Sequence, residues 1–105
     1  MKTEFITPEQ IADKLSSDKK TVIAVAATWC GPCNMMTDMV WNPINEEKGD
    51  IQVFKINADD HKEWAKEQGV SGLPTMFIYD GETKLEKTIS GFLPREEFEA
   101  QVKKG

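Results

Sequence analysis

Cysteine and histidine are scarce in this chain of 105 residues, which has two cysteines and one histidine. A closed structural zinc site takes four ligands from cysteine, histidine or carboxylate side chains. Cys30, Cys33 and His61 fall short of that number, and this disfavours a metal centre built on the thiols. The sequence therefore predicts no metal site.

Long apolar runs and excess positive charge are also absent. No stretch of about eighteen apolar residues could form a membrane span. The chain carries 13 Lys and Arg against 18 Asp and Glu, a net charge of -5, which argues against a nucleic-acid surface. The first fifteen residues reach acidic side chains before any long apolar stretch, unlike a signal peptide. We therefore expect a cytoplasmic protein that binds neither membranes nor nucleic acid.

The length and composition allow one hydrophobic core. A chain of 105 residues with 39% hydrophobic side chains can build one core and no more. No linker or repeat divides it. We expect a single domain over residues 1–105 that works as a monomer.

The two cysteines are separated only by Gly31 and Pro32. A disulfide across so short a loop contributes about 2 kcal/mol by loop-closure entropy, against about 4.7 kcal/mol for a loop of about a hundred residues. A structural cross-link is therefore a poor explanation of this spacing. In a reducing compartment a lone C-x-x-C pair near a βαβ pattern indicates a dithiol that opens and closes in redox catalysis.

Apolar runs and turn signals predict alternating helices and strands. Capping and proline signals begin helices at Thr7-Pro8, near Pro32, after residues 57–60 and at Pro94. Apolar patterning predicts strands over residues 21–27, 51–56, 75–79 and 84–89, the last two joined by an Asp80-Gly81 turn. The order αβαβαββα predicts an α/β fold with one mixed sheet flanked by helices on both faces.

Two motifs resemble the thioredoxin family from about Val22 to the final helix. They are W-C-G-P-C at 29–33, after an apolar strand, and G-V-S-G-L-P-T at 69–75, before the hairpin. The resemblance implies a thioredoxin fold and a reductase of protein disulfides with no bound cofactor. It further implies a redox-active Cys30–Cys33 disulfide, recycled by thioredoxin reductase with NADPH as the indirect electron source.

The position of the cysteines suggests a division of labour. A free cysteine has a pKa of about 8.5 and is mostly thiol at neutral pH, although a thiolate is needed for exchange. Cys30 directly precedes a predicted helix, whose first N–H groups stabilise an anion. We expect Cys30 to be the exposed nucleophile and Cys33, one turn further and shielded, to be the resolving thiol.

The resemblance also assigns a substrate groove. Trp29 would shape its rim, and Gly31 would leave room for a substrate chain beside Pro32. A cis bond between Leu73 and Pro74 would present the Leu73 backbone to an extended substrate and keep metals off the thiols. Gly91 would leave backbone space in the same groove.

Several positions depart from the family pattern. The strand position that usually carries a buried aspartate is Ala24, and its usual lysine neighbour, retained as Lys55, is expected to lack a partner. Asp38 replaces a helix-kinking proline, and Pro43 predicts a break or bend later in that helix. Asn34 stands where a lysine is common. These changes are expected to affect rate and redox poise but not the type of reaction.

Two other functions remain open from the sequence. The chain could be a non-redox binding subunit or scaffold of a larger complex, which would not need its thiols. An oxidant or isomerase is disfavoured because Gly-Pro between the cysteines resembles the reducing members. Replacing both cysteines by serine separates the scaffold from the reductase.

Overall fold

The computed structural model describes residues 2–104 and contains a four-stranded mixed sheet. Its strand order is β2-β1-β3-β4, with β1 and β2 parallel and the other neighbouring pairs antiparallel. The order of elements is the predicted αβαβαββα, which confirms the expected fold class. The elements are a 3-10 turn (Pro8–Gln10), α1 (Ile11–Lys14), β1 (Lys20–Ala26), α2 (Gly31–Met36), a π-helical segment (Thr37–Trp41), α3 (Asn42–Glu47), β2 (Ile51–Asn57), α4 (Lys62–Glu67), β3 (Thr75–Asp80), β4 (Thr83–Ser90) and α5 (Arg95–Lys104).

Successive side chains of β1 point to opposite faces of the sheet, and nearly all of them are buried. Helices therefore cover both faces. Val22 packs with Val40 and Phe98, so the π-helical segment and α5 cover one face. Ile23 on the opposite face packs against Ile11 of α1 and the side chain of Trp64 in α4. None of the helices in residues 2–104 is long and apolar enough to cross a membrane.

The N-terminal segment adds a short edge to the sheet that the sequence did not predict. Phe5 forms an isolated parallel bridge with Lys55 of β2. The Ile6 N–H donates to the Lys55 carbonyl over 2.7 Å, and the Lys55 N–H donates to the Glu4 carbonyl over 2.9 Å. This pairing places the Phe5 ring beside the Lys55 side chain, whose Nζ lies 4.3 Å from the ring centre.

The helix that begins at the cysteines continues to Glu47 but changes its winding before Pro43. The predicted break is a π-helical segment, in which the Asn42 N–H donates to the Thr37 carbonyl five residues back. Pro43 follows in the first turn of α3. Proline has no N–H to donate to the preceding turn, and a wider turn at this point accommodates that loss.

The ends of α4 confirm one sequence prediction and correct another. The N-cap is His61, whereas Asn57 forms a turn in which its Oδ1 accepts from the Asp59 N–H over 2.9 Å. The prediction that residues 57–60 cap this helix is therefore wrong. Gly69 ends the helix as predicted, with φ of +81° and its N–H donating to the Lys66 carbonyl over 3.0 Å.

Candidate active site

Cys30 and Cys33 form a disulfide at the point where β1 passes into α2. Cys30 is the N-cap of α2, with an extended backbone, and its Cα lies 5.2 Å from that of Cys33. The Cys33 N–H donates to Cys30 Sγ over 3.2 Å. A helix N-terminus leaves its first N–H groups without intrahelical partners, and here one of them is aimed at sulfur. The helix start thus supplies a hydrogen-bond donor at the atom where a thiolate would form.

Both cysteines are buried, which corrects the expectation that Cys30 is exposed. Cys30 is 5% exposed and Cys33 is 1% exposed. The two pack with Ala26 and Ala27, against the side chain of Leu73. Cys30 is still the more accessible of the two, so the predicted order of accessibility is confirmed.

The residues around the cysteines hold the first turn and leave its outer side open. Gly31 and Pro32 are the first two residues of α2, and both are exposed. A Cβ added at Gly31 would meet nothing within 4 Å. Asn34, at the position where the family commonly has lysine, donates from Nδ2 to the Thr28 carbonyl over 3.1 Å. Asn34 therefore ties the loop before Cys30 to the helix after it.

Trp29 lies on the surface beside the disulfide, as predicted. It is 69% exposed, the largest fraction among the large hydrophobic residues that the structure describes. The indole Nε1 donates to Asp59 Oδ2 over 2.8 Å. This bond fixes the orientation of a large ring that solvent would otherwise leave free to rotate.

Leu73, Pro74 and Gly91 meet behind the cysteines. The Leu73–Pro74 bond is cis, as predicted, and Pro74 is buried. The Gly91 N–H donates to the Pro74 carbonyl over 2.9 Å. Gly91 has φ of +83°, a conformation that favours glycine because L side chains rarely adopt it. The end of β4 is thereby joined to the start of β3 beside Leu73.

Ala24 is fully buried where the family usually carries an aspartate. It packs with Met36 and Met76 in the apolar core beneath the active-site helix. In the parallel pairing of β1 and β2 its partner is Lys55. The side chain that would be the lysine's carboxylate partner is therefore replaced by a methyl group.

Lys55 nevertheless has partners, which corrects the expectation that it lacks one. Its side chain is 9% exposed; Nζ donates to Thr37 Oγ1 over 3.3 Å and lies 4.3 Å from the centre of the Phe5 ring. Burial lowers the pKa of Lys55, and the negative charge of Asp38 acts in the opposite direction. The ammonium group is held by a hydroxyl and an aromatic face.

Thr37 links Lys55 to the resolving cysteine, and sequence reasoning missed it. Its Oγ1 donates to the Cys33 carbonyl over 2.9 Å while accepting from Lys55. The signal was the spacing of four between Cys33 and Thr37, at which threonine bonds back to the preceding turn. Asp59 was also missed, although the N–H of Trp29 beside the nucleophile called for an acceptor.

The predicted site residues thus form one cluster with one member set apart. The disulfide lies together with its neighbours in the chain and with the Leu73–Pro74 segment and Gly91. Lys55 lies apart and is connected to Cys33 through Thr37. Among residues 2–104, no group of three His, Cys, Asp or Glu side chains is arranged to hold a metal ion.

A family model, related sequences and a solved structure that match this chain all indicate the thioredoxin family. The family model described as Thioredoxin matches residues 2–104. The chain is 36% identical over 84 residues to a thioredoxin of Streptomyces clavuligerus, covering 80% of this chain and 77% of that one. It is 37% identical over 70 residues to a bifunctional thioredoxin reductase/thioredoxin of Mycobacterium leprae, covering 67% of this chain and 15% of that protein. The crystal structure of oxidised mitochondrial thioredoxin 3 from Saccharomyces cerevisiae superposes with a TM-score of 0.78 at 25% identity, covering 98% of this chain and 95% of that one.

Proposed function

The chain belongs to the thioredoxin family of protein-disulfide oxidoreductases, and we propose that it serves as a dithiol reductant of disulfides in other proteins. The direction is proposed from Gly31 and Pro32 between the cysteines, which resemble the reducing members of the family. The single observation that carries the assignment of roles is the bond from the Cys33 N–H to Cys30 Sγ. A donor at Cys30 stabilises negative charge on that sulfur in preference to the sulfur of Cys33. Cys30 is accordingly the nucleophile and Cys33 the resolving thiol.

The reaction proceeds through two exchanges. The Cys30 thiolate attacks one sulfur of a substrate disulfide, forms a mixed disulfide and releases the first substrate thiolate. The Cys33 thiolate then attacks Cys30 Sγ, which releases the second substrate thiolate and closes the Cys30–Cys33 disulfide. Two electrons leave the protein, and the substrate cysteines take up two protons. The closed disulfide is the state that the structure contains.

The substrate chain binds across the surface between Trp29 and the Leu73–Pro74 segment. Trp29 forms one rim, and Gly31 and Pro32 leave the outer side of the first turn open. The Leu73 backbone pairs with an extended substrate segment beside Cys30. Support for this arrangement comes from the packing of Leu73 against the cysteine pair and from Gly91, which holds Pro74 in place.

Lys55 acts as a positioning residue for the resolving step. Its bond to Thr37, which in turn bonds the Cys33 carbonyl, connects a positive charge to the backbone of the resolving cysteine. This charge favours the Cys33 thiolate electrostatically even though Ala24 supplies no carboxylate to remove the proton.

The partners follow from the need to restore the dithiol. No bound cofactor takes part, and a thioredoxin reductase supplied by NADPH reduces the Cys30–Cys33 disulfide. A reductase and a thioredoxin are joined in one chain in the Mycobacterium leprae relative, which supports this pairing. The chain works as one thioredoxin domain over residues 1–105, as a monomer, in the cytoplasm.

Dithiol-driven reduction of a test protein disulfide, followed by turbidity, tests this function. The wild-type protein should accelerate precipitation, and the variant with both Cys30→Ser and Cys33→Ser should not. A non-redox binding subunit is the competing function. It would be supported if the double variant retained the biological activity of the wild-type protein.

A further inference from the structure

A shallow cleft runs along α4 from the Trp29 and Leu73 edges of the substrate surface described above. The cleft, called here the α4 cleft, has a volume of about 250 Å³. Trp29, Ala65, Val70 and Leu73 provide its apolar surface. Lys62 and Lys66 are the cationic side chains that line it.

The α4 cleft is continuous with the cysteine pair through Leu73. That side chain packs against the cluster formed by Cys30 and Cys33 on one side. It also packs against the cluster that contains Ala65 and Val70. Since an extended chain advances about 3.3 Å per residue, a substrate segment paired at Leu73 passes the α4 cleft with the residues that flank its own cysteine.

The charge of the α4 cleft differs from that of the whole protein. Lys62 and Lys66 are both exposed, and no hydrogen bond or ion pair within the described residues involves the side chain of either. They stand four residues apart in α4, a spacing at which like charges face each other and destabilise a helix. The protein as a whole carries a net charge of -5. Two neighbouring lysines without partners on an acidic protein complement a negatively charged ligand.

One carboxylate opposes them within the same lining. Asp59 borders the α4 cleft, but its Oδ2 accepts the bond from Trp29. Glu63 and Glu67 belong to α4 without lining the α4 cleft. Formal charges in the lining therefore remain positive by one unit, and neither glutamate of α4 is part of that lining.

We propose that the α4 cleft selects substrate proteins that carry an aspartate or glutamate close to the disulfide to be reduced. The substrate carboxylate binds between Lys62 and Lys66, and neighbouring apolar side chains rest on Val70 and Leu73. This proposal rests on the disulfide reduction proposed above and adds a substrate class to it. The lysines bind and orient the substrate; the chemistry of the two cysteines is unchanged.

The test compares disulfide-bonded peptides that differ at one flanking position, which is glutamate, glutamine or lysine. Pre-reduced protein is mixed with each peptide, and the second-order rate constant of a single turnover is measured by acid quenching. The glutamate peptide should react about threefold to tenfold faster than the glutamine peptide, since each surface ion pair contributes modestly. This preference should shrink at about 1 M salt, where the screening length falls to about 3 Å.

Charge variants locate the effect. Lys62→Gln with Lys66→Gln should bring the ratio of the two rate constants close to one. Lys62→Glu with Lys66→Glu should favour the lysine peptide over the glutamate peptide. Lys2→Gln with Lys104→Gln makes the same change in net charge as Lys62→Gln with Lys66→Gln, but at two exposed lysines outside the α4 cleft, and should keep the preference of the wild-type protein.

Equal rate constants for the glutamate and glutamine peptides in the wild-type protein would overturn the proposal, as would a preference that the Lys62 and Lys66 variants retain. Both results leave the reduction of peptides intact. If the protein reduces neither these peptides nor the test protein disulfide, the proposed function itself is wrong. A second copy of this acidic chain is the competing occupant. Self-association that the Lys62→Glu, Lys66→Glu variant abolishes, together with equal peptide rates, would assign the α4 cleft to that copy instead.

Discussion

The backbone N–H of Cys33 points at Cys30 Sγ over 3.2 Å, so the resolving cysteine's own peptide group supports the sulfur that attacks first. This relationship follows from the place of Cys30 as N-cap of α2. The N-cap side chain normally accepts from the N–H two or three residues on, and sulfur takes that role here. The spacing of the C-x-x-C pair thus sets both the short loop of the disulfide and the support of the nucleophile.

The substitution Ala24→Asp should speed resolution and lower stability. The new carboxylate would lie beneath the active-site helix, where it can accept the proton of Cys33, so breakdown of the mixed disulfide should accelerate by about tenfold or more. Burying it should lower the free energy of unfolding by about 1 to 3 kcal/mol. Lys55, the partner of Ala24 on the neighbouring strand, would reduce that loss. Single-turnover kinetics and a melting curve measure both effects.

The matched control for this change is Ala24→Asn. Asparagine is about as large as aspartate and is polar, but it cannot act as a base. This variant should lose stability and leave the resolution rate close to that of the wild-type protein. An aspartate variant that resolves no faster than the asparagine variant would show that a carboxylate at this position has no catalytic role in this chain.

The pH dependence of stability should reveal the buried ammonium group of Lys55. Burial lowers its pKa below the ordinary value of 10.5, so between the folded-state pKa and 10.5 the unfolded chain binds more protons than the folded one. Stability of the wild-type protein should therefore rise with pH in this window relative to Lys55→Met. The slope should stay below about 1.4 kcal/mol per pH unit, the limit for one proton.

Denaturant unfolding of both proteins in the oxidised form measures this slope, because a disulfide removes the titration of the thiols. Tyr79, whose pKa burial raises, is common to both proteins and its contribution cancels in the difference. A difference that stays constant or falls as pH approaches 10.5 would mean that Lys55 is not desolvated in the folded state.

Gly91→Ala should destabilise the protein through its backbone alone. A Cβ at this position meets nothing within 4 Å, but φ of +83° is unfavourable for an L side chain. The expected loss is about 1 to 2 kcal/mol in the free energy of unfolding. Gly49→Ala is the control, since its Cβ also meets nothing and its φ lies outside the left-handed region. Equal stabilities of the two variants would refute the role assigned to the conformation of Gly91.

The order of the elements could be predicted from the sequence because local signals agree with the fold. The predicted strand over residues 21–27 matches β1 (Lys20–Ala26) within one residue. A strand that is buried on both faces has a continuous apolar sequence, and this run shows that pattern. Thr7 and Gln10 gave the first helix start, where the Thr7 N–H donates to Gln10 Oε1 over 2.9 Å. Gly69 gave the end of α4.

The features that the sequence did not reveal depend on contacts between distant segments. Phe5 pairs with Lys55 in a single bridge, too short for an alternating pattern to indicate. The partners of Lys55 come from the N-terminal segment and from the π-helical segment, fifty and eighteen residues away in the sequence numbering. The burial of Cys30 likewise arises from packing against Leu73.

Trapping of the mixed disulfide tests the central claim most directly. Reduced Cys33→Ser and Cys30→Ser proteins are each mixed with an oxidised substrate protein and run on a non-reducing gel. The Cys33→Ser protein should accumulate a covalent adduct through Cys30, because the resolving thiol is missing. The Cys30→Ser protein should form little or none, since Cys33 is less exposed than Cys30 and its sulfur lacks the donor. An adduct with the Cys30→Ser protein and none with the Cys33→Ser protein would contradict the assignment of the two cysteines.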